Sequence, residues 1–347
     1  MDILWYDNHI LARVGFNPRK IQIPKRGRTM KKKFSLLMAI LMLAMLLAGC
    51  GGDKDSGSAP ADTSAPADSG SSDGSGASAV AEDTNTVAVG AVVIARDDVP
   101  EDDIYAFTSA IFENIEAITE QHAKGGELDL DFASSVTSVP YHPGAAKYFA
   151  EKGKEVASVK DGAGSGDSKA LTFGTGGESG TYYAFGGVLS NFVSNSTGVS
   201  VTAITSGGSK ENIENLAAGD VQLGFVQSDV MSYAYNGERL FDAKVENFSV
   251  VAALYMEQVQ IVTTNPDIKS VADLAGKSVS IGDRGSGVWF NAVDVLGAYD
   301  IDPDSGISPV YQGFGDSADS LKDKKIDAAF VVAGAPTTAI VDLATSG

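Results

Sequence analysis

The stretch Leu171-Thr-Phe-Gly-Thr-Gly-Gly-Glu-Ser-Gly-Thr-Tyr-Tyr-Ala-Phe-Gly-Gly187 constrains the chain more than any other. It opens as a short strand, passes through a glycine-rich turn and ends as the start of a helix. Gly174, Gly176, Gly177 and Gly180 permit positive φ and close backbone approach, and Ser179 and Thr181 are candidate helix caps. Amide N–H groups left free at such a helix start attract an anion, so the stretch suits a negatively charged group such as a carboxylate. The pattern recurs in Thr205-Ser-Gly-Gly-Ser-Lys-Glu211 and Asp283-Arg-Gly-Ser-Gly-Val288, and more weakly in Gly334-Ala-Pro-Thr337. One such turn is an ordinary tight connection; three in succession, each beside a hydroxyl, point to binding.

From Ala170 onward strand and helix patterns alternate, which predicts an α/β fold with a mainly parallel sheet. In such sheets ligands bind at the carboxyl ends of strands. Ser249–Leu254 and Val259–Thr263 read as two strands, and Pro336–Leu343 as the last helix. Upstream, Thr86–Ala95 reads as a buried strand. Asp97-Asp98-Val99-Pro100 then reads as a helix cap, and Ile104, Phe107, Ile111, Ile115 and Ile118 as one apolar helix face. Ala145–Lys152 is a further short helix closed by Gly153.

Several kinds of chemistry are excluded. Gly174-x-Gly176 lacks the third glycine of a dinucleotide fingerprint, because position 179 is Ser, and no Gly-x4-Gly-Lys-Ser/Thr occurs. The Gly-x-Ser-x-Gly of Gly70–Gly74 lies in a low-complexity segment, and no histidine follows residue 169 to complete a serine triad there. His9, His122 and His142 make no metal-ligand spacing, and a solvated or capping role fits the last two. No cofactor and no metal are expected.

The front end reads as an export signal. Met30-Lys-Lys-Lys-Phe34 begins a basic start followed by an uncharged run to Gly49 and then Cys50, the only cysteine. Translation is expected to start at Met30. The first 33 residues hold nine Lys/Arg and two acids, which leaves 17 basic against 43 acidic residues in the remainder. Such a surface repels nucleic acid. Residues 51–83, rich in Gly, Ser, Ala, Asp and Pro, read as a flexible tether.

Leu47-Ala-Gly-Cys50 resembles a bacterial lipobox, which implies lipidation at Cys50 and anchoring to the membrane outside the cytoplasm. Residues 170–347 resemble the first two-thirds of a solute-binding protein of the TAXI family, which serves TRAP (tripartite ATP-independent periplasmic) transporters. The motifs are Gly174–Tyr183, Thr205–Ser209 with Asn212-Ile-Glu-Asn-Leu216, Gly219–Ser228, Ala253-Leu-Tyr255, Gly285-Ser-Gly287 and Asp327–Gly334. The resemblance implies a type II periplasmic-binding-protein fold: two α/β lobes closing on a small carboxylate or amino acid, glutamate among them, for delivery to membrane permease subunits. Thr86–Gly153 resembles the family's C-terminal end, here placed first, so the fold is expected to be permuted and incomplete.

The implied organisation is an upstream extension and signal over 1–50, the tether 51–83, the displaced segment 84–158, a linker 159–169, lobe 1 over 170–260 and lobe 2 over 261–347. The implied ligand-facing residues are Gly176, Gly177, Ser179, Gly180, Thr181, Tyr182, Ser206, Gly207 and Ser209 from the first lobe's turns. Gln227 and Tyr255 end strands, and Arg284, Gly285, Ser286 and Gly287 form the second lobe's turn. Arg284 could pair with a carboxylate or lie solvated in its loop. Three other readings stay open: the binding lipoprotein of an ATP-driven importer, an enzyme or carrier holding a phosphorylated ligand on the same turns, and a rearranged, non-functional remnant.

Overall fold

The computed structural model describes residues 2–4, 86–167 and 170–346. The export signal, Cys50 and the tether lie outside the described residues. In chain order the elements are β1 (Asp2–Leu4), β2 (Ala88–Arg96), α1 (Glu101–Phe112), α2 (Ile115–Gln121), a 3-10 turn (Ala123–Glu127), α3 (Leu130–Ala133) and α4 (Pro143–Glu151). Next come β3 (Ala170–Gly174), α5 (Thr181–Ser196), β4 (Ser200–Ile204), α6 (Ser209–Ala218), β5 (Leu223–Gln227), α7 (Ser228–Asn236) and β6 (Phe248–Thr263). The last are β7 (Ser278–Ser280), α8 (Val288–Ala298), β8 (Ser308–Val310), α9 (Phe314–Lys322), β9 (Ala328–Ala333) and α10 (Thr338–Thr345).

The strands join in the order β4-β3-β5-β2-β6-β9-β7-β8, with β1 beside β6. Two parallel groups, β4-β3-β5 and β9-β7-β8, flank an antiparallel centre. β6 is the crossing strand. Its first part pairs with β2 from Phe248↔Arg96 to Gln258↔Ala88, and its last part pairs with β9 from Gln258↔Ala333 to Thr263↔Ala328. The chain thus forms two α/β lobes on one sheet, as the alternating pattern predicts, but the sheet is not mainly parallel, because β2 and β6 run antiparallel to the strands beside them. The two strands expected at 249–254 and 259–263 are one strand. The polar Glu257-Gln258 pair that separates them in sequence marks the crossing between lobes.

β2 is buried along nearly its whole length between β5 and β6. That environment explains its unbroken Ala-Val-Gly-Ala-Val-Val-Ile-Ala run, since a central strand has both faces covered. The leading segment is therefore part of lobe 1's sheet. β1, from residues upstream of Met30, pairs antiparallel with Ile261–Thr263. In lobe 2, alternate residues of β9 serve opposite faces, as strand geometry requires. Phe330 and Val332 join Leu274, Val288 and Leu296 on one side, while Ala329 and Val331 join Ile340 and Leu343 on the other.

Three local expectations need correction. The apolar face from Ile104 to Ile118 spans two helices, because the chain leaves α1 at Glu113 and restarts after Asn114, whose Nδ2 donates to Ala110 O at 2.9 Å. Within the expected cap stretch Asp97–Pro100, Pro100 is itself the N-cap residue of α1 and makes no side-chain cap bond. Neither Ser179 nor Thr181 caps α5; Gly180 holds that position with extended backbone. The last helix begins at Thr338, two residues beyond Pro336. Both described histidines do cap: His122 Nδ1 accepts from Lys124 N and His142 Nδ1 from Gly144 N. His142 is buried, and burial lowers its pKa to about 4.

Candidate functional site

β3, β5 and the crossing part of β6 carry their C-terminal polar residues to the seam between the lobes. Asn212, buried on α6, ties two strand ends together through Nδ2 donated to Thr175 O and to Phe225 O, both at 2.7 Å. Tyr182 stacks on Phe225 with centroids 4.6 Å apart, and its hydroxyl donates to Glu257 Oε2 at 2.6 Å. Ser209 Oγ accepts from Gln227 N at 3.0 Å. Asn291 of lobe 2 donates to Asp229 Oδ2 of lobe 1 at 2.8 Å. Tyr182, Ser209, Gln227, Tyr255, Glu257 and Asn291 are all buried.

Within this seam Gln227 Oε1, Asp229 Oδ1, Tyr255 Oη and Asn291 Oδ1 have no hydrogen-bond partner. Protein interiors rarely leave such groups unmade, because each costs roughly 1–3 kcal/mol. The pairing of β2 with β6 slips by one residue between Ala91↔Tyr255 and Val92↔Ala253. Bulges of this kind re-aim neighbouring side chains, and this one adjoins Tyr255.

The electrostatics follow from burial. Desolvation raises the Glu257 carboxyl to about 8, against the lowering effects of the Tyr182 hydrogen bond and of Lys124. At neutral pH Glu257 is protonated. Desolvation also raises Asp229, to about 6, opposed by hydrogen bonds from backbone and Asn291. Burial pushes the Tyr182 and Tyr255 phenols well above their usual range. Both phenols stay protonated donors.

The expected residues fall into three groups. Tyr182, Ser209, Gln227, Tyr255 and Gly287 converge at the seam. The turn residues face each other across it and use much of their own hydrogen-bonding capacity. Gly207 N donates to Glu211 Oε2 at 3.1 Å, Gly285 O accepts from Glu211 N at 3.1 Å, and Ser286 Oγ donates to Asp283 O at 2.6 Å. Ser206 Oγ donates to Thr175 O and accepts from Gly208 N. Thr181 Oγ1 crosses to Gly334 O at 3.1 Å, and Gly180 and Ser179 lie against Phe314 and Gly315. Gly176 O accepts from Ser206 N, and Gly177 is open to solvent. Arg284 is exposed, with its guanidinium stacked 3.7 Å over the Tyr311 ring.

Gly287 allows the tightest approach of the lobes. A Cβ there would lie 2.0 Å from Gln227 Oε1 and 3.0 Å from Ser209 Oγ. Gly287→Ala should therefore lower stability in urea denaturation by about 1–3 kcal/mol, the usual range for overpacking. Adding Gln227→Ala should recover most of that loss, and no recovery would show that the clash lies elsewhere.

Sequence reasoning passed over Lys124, Asp229, Glu257 and Asn291. Glu257 had a signal, a lone acid inside an apolar strand run. Asp229 directly follows the Gln227-Ser228 strand end. Lys124 and Asn291 had none, since each reaches the seam from an element remote in sequence.

Residues 75–153 and 173–347 match the model of the NMT1-like family. The two stretches make up most of the chain, and the protein belongs to that family. Solved structures to which it is similar include the periplasmic aliphatic sulphonate binding protein SsuA from Escherichia coli, at 20% identity and a TM-score of 0.31, covering 48% of this chain and 52% of that one. Another is the alkanesulfonate-binding protein SsuA from Xanthomonas axonopodis pv. citri bound to MOPS, at 17% identity and 0.34, covering 48% and 55%. An ancestral arginine-binding protein bound to arginine matches at 17% identity and 0.33, covering 48% and 70%. The chain thus spans about half the length of the two SsuA structures.

Proposed function

We propose that this protein is an extracytoplasmic solute-binding receptor of a TRAP-type secondary transporter, closing two lobes on a small carboxylate or amino acid and delivering it to the membrane permease. The observation that carries this reading is the set of buried, unpartnered polar atoms on Gln227, Asp229, Tyr255 and Asn291, all at the seam between the lobes. The acceptors among them call for a ligand that brings donors, and the phenol calls for one that brings an acceptor. Amino acids offer both. The role needs no bond made or broken. Lipidation at Cys50 with residues 51–83 as tether would hold the receptor at the membrane. TRAP coupling rests on the resemblance of the sequence motifs.

The test is thermal unfolding of the chain across a panel of amino acids and small organic acids. A ligand at about 100 times its Kd should add roughly 2.7 kcal/mol of stability. Failure of every member to move the transition at millimolar concentration would defeat the proposal. Stabilisation by nucleotides or inorganic phosphate alone would favour a phosphate-binding role instead.

A further inference from the structure

The glycine turns were the natural place to seat an anion, yet several of their groups serve other partners. Glu211 occupies the Gly207 amide, and the Ser286 hydroxyl donates to Asp283 O. Uncommitted donors lie elsewhere in the seam. Lys124, on the 3-10 turn of the leading segment, is only 3% exposed. Its backbone is fixed by the hydrogen bond to His122 Nδ1, and the His122 ring packs 5.1 Å from that of Phe185. An ammonium carries three donors. One goes to Glu127 Oε1 at 2.6 Å, and the group otherwise sits 5.2 Å from the centroid of the Tyr255 ring.

Tyr255 is 1% exposed and its hydroxyl has no partner. The wall opposite is Gly334 of lobe 2. A Cβ there would lie 2.4 Å from Lys124 Cε, 2.9 Å from Nζ and 3.0 Å from Tyr255 Cε2. Only glycine lets the lobe 2 backbone pass this close to Lys124 and Tyr255. Gly334 O accepts from the Thr181 and Thr337 hydroxyls, which hold the backbone in place. A buried ammonium with a single carboxylate partner is costly unless further acceptors reach it.

We infer that Lys124 Nζ and the Tyr255 hydroxyl form the anion-receiving end of the seam and make Lys124 the residue that selects an acidic ligand group over its neutral isostere. This inference rests on the solute-binding reading above. The ligand class is a small molecule bearing a carboxylate or an oxyanion of similar size, donated to by two ammonium protons and one phenol. Glu257 faces the same corner but is protonated at neutral pH, so it does not repel such a group. The leading segment then contributes to recognition as well as to the sheet.

Isothermal titration of the full chain with two isosteric pairs tests this: succinate against succinamate, and L-glutamate against L-glutamine. The parent should prefer at least one carboxylate member by about tenfold or more, since charge-assisted hydrogen bonds are roughly twice as strong as neutral ones. Lys124→Met should bring that ratio close to one, with the larger share of the lost affinity on the carboxylate member. Should Lys124→Met fail to fold, Tyr255→Phe keeps the ring and removes only the hydroxyl, and the ratio should still fall by about threefold. A parent that binds both members equally, or an unchanged ratio in a folded variant, overturns the anion-receiving corner and leaves the receptor reading standing. If the parent binds none of the four probes and nothing in the wider panel, both fall together.

Discussion

Glu257→Gln should flatten the dependence of stability on pH and raise the unfolding midpoint most above pH 8. The carboxyl is ordinarily half-protonated near 4.5, and burial in the seam raises it to about 8. Below the lower value both folded and unfolded chains hold the proton, and the substitution gains nothing on this account. Between the two values the unfolded chain releases the proton while the folded chain keeps it. Stability of the parent then falls with rising pH by about 1.4 kcal/mol per unit. Above about 8 the folded state ionises too, and the loss levels off at a few kcal/mol. Glutamine keeps an acceptor for the Tyr182 hydroxyl and has no proton to lose. Asp229, raised from 3.8 to about 6 by the same burial, adds a separate decline at lower pH that both proteins share. The difference between the curves therefore isolates Glu257. Urea denaturation at pH 5, 7 and 9 should show the variant's advantage growing with pH, and parallel curves would remove Glu257 from the seam's electrostatics.

Glu257 also explains why the sequence was only partly legible. Continuous apolar runs and alternating patterns gave the strands of both lobes, because a buried strand must be apolar wherever it touches a core. At the crossing between lobes that rule fails. There Glu257 accepts from the Tyr182 hydroxyl and Gln258 from the Ala335 amide, so β6 read as two strands and its most unusual residue went unused. The glycine turns were legible as places of close approach, but their chemistry was not. A free amide in sequence gives no sign that Glu211, four residues on, will occupy it. Tyr182, Gln227 and Tyr255 were legible because each sits at the end of a recognisable strand or turn. Lys124 was not, since nothing in a turn of Ala-Lys-Gly-Gly-Glu tells which distant element it will face.

Phe290→Ala should have the largest effect on the relation of the lobes. Phe290 lies on α8 of lobe 2, yet it is 0% exposed and belongs to the core of lobe 1. Its ring stacks on Tyr233 at 5.7 Å and on Phe241 at 6.2 Å, both from lobe 1. Asn291 bonds Asp229 beside it, and Arg239 of lobe 1 pairs with Asp294 one turn further along. The other face of the same helix places Val288, Ala292, Val295 and Leu296 in the core of lobe 2. One helix is thus shared between two cores, and its side chains join the two lobes. Truncating a buried phenylalanine typically costs about 3–5 kcal/mol. Here part of that cost should appear as opening rather than unfolding, because lobe 2 keeps its own core when the ring is withdrawn. The variant should unfold at lower temperature and scatter X-rays with a larger radius of gyration than the parent. Its ligand affinity should fall in proportion to the closed fraction lost, since apparent affinity scales with the competent population. Saturating ligand should restore the smaller radius. A loss of stability with no change in radius or affinity would make Phe290 core filler and no part of closure. Asp294→Ala separates the two further: it removes an exposed ion pair worth at most about 1 kcal/mol, so any opening it causes comes from the clasp and not from a lost core.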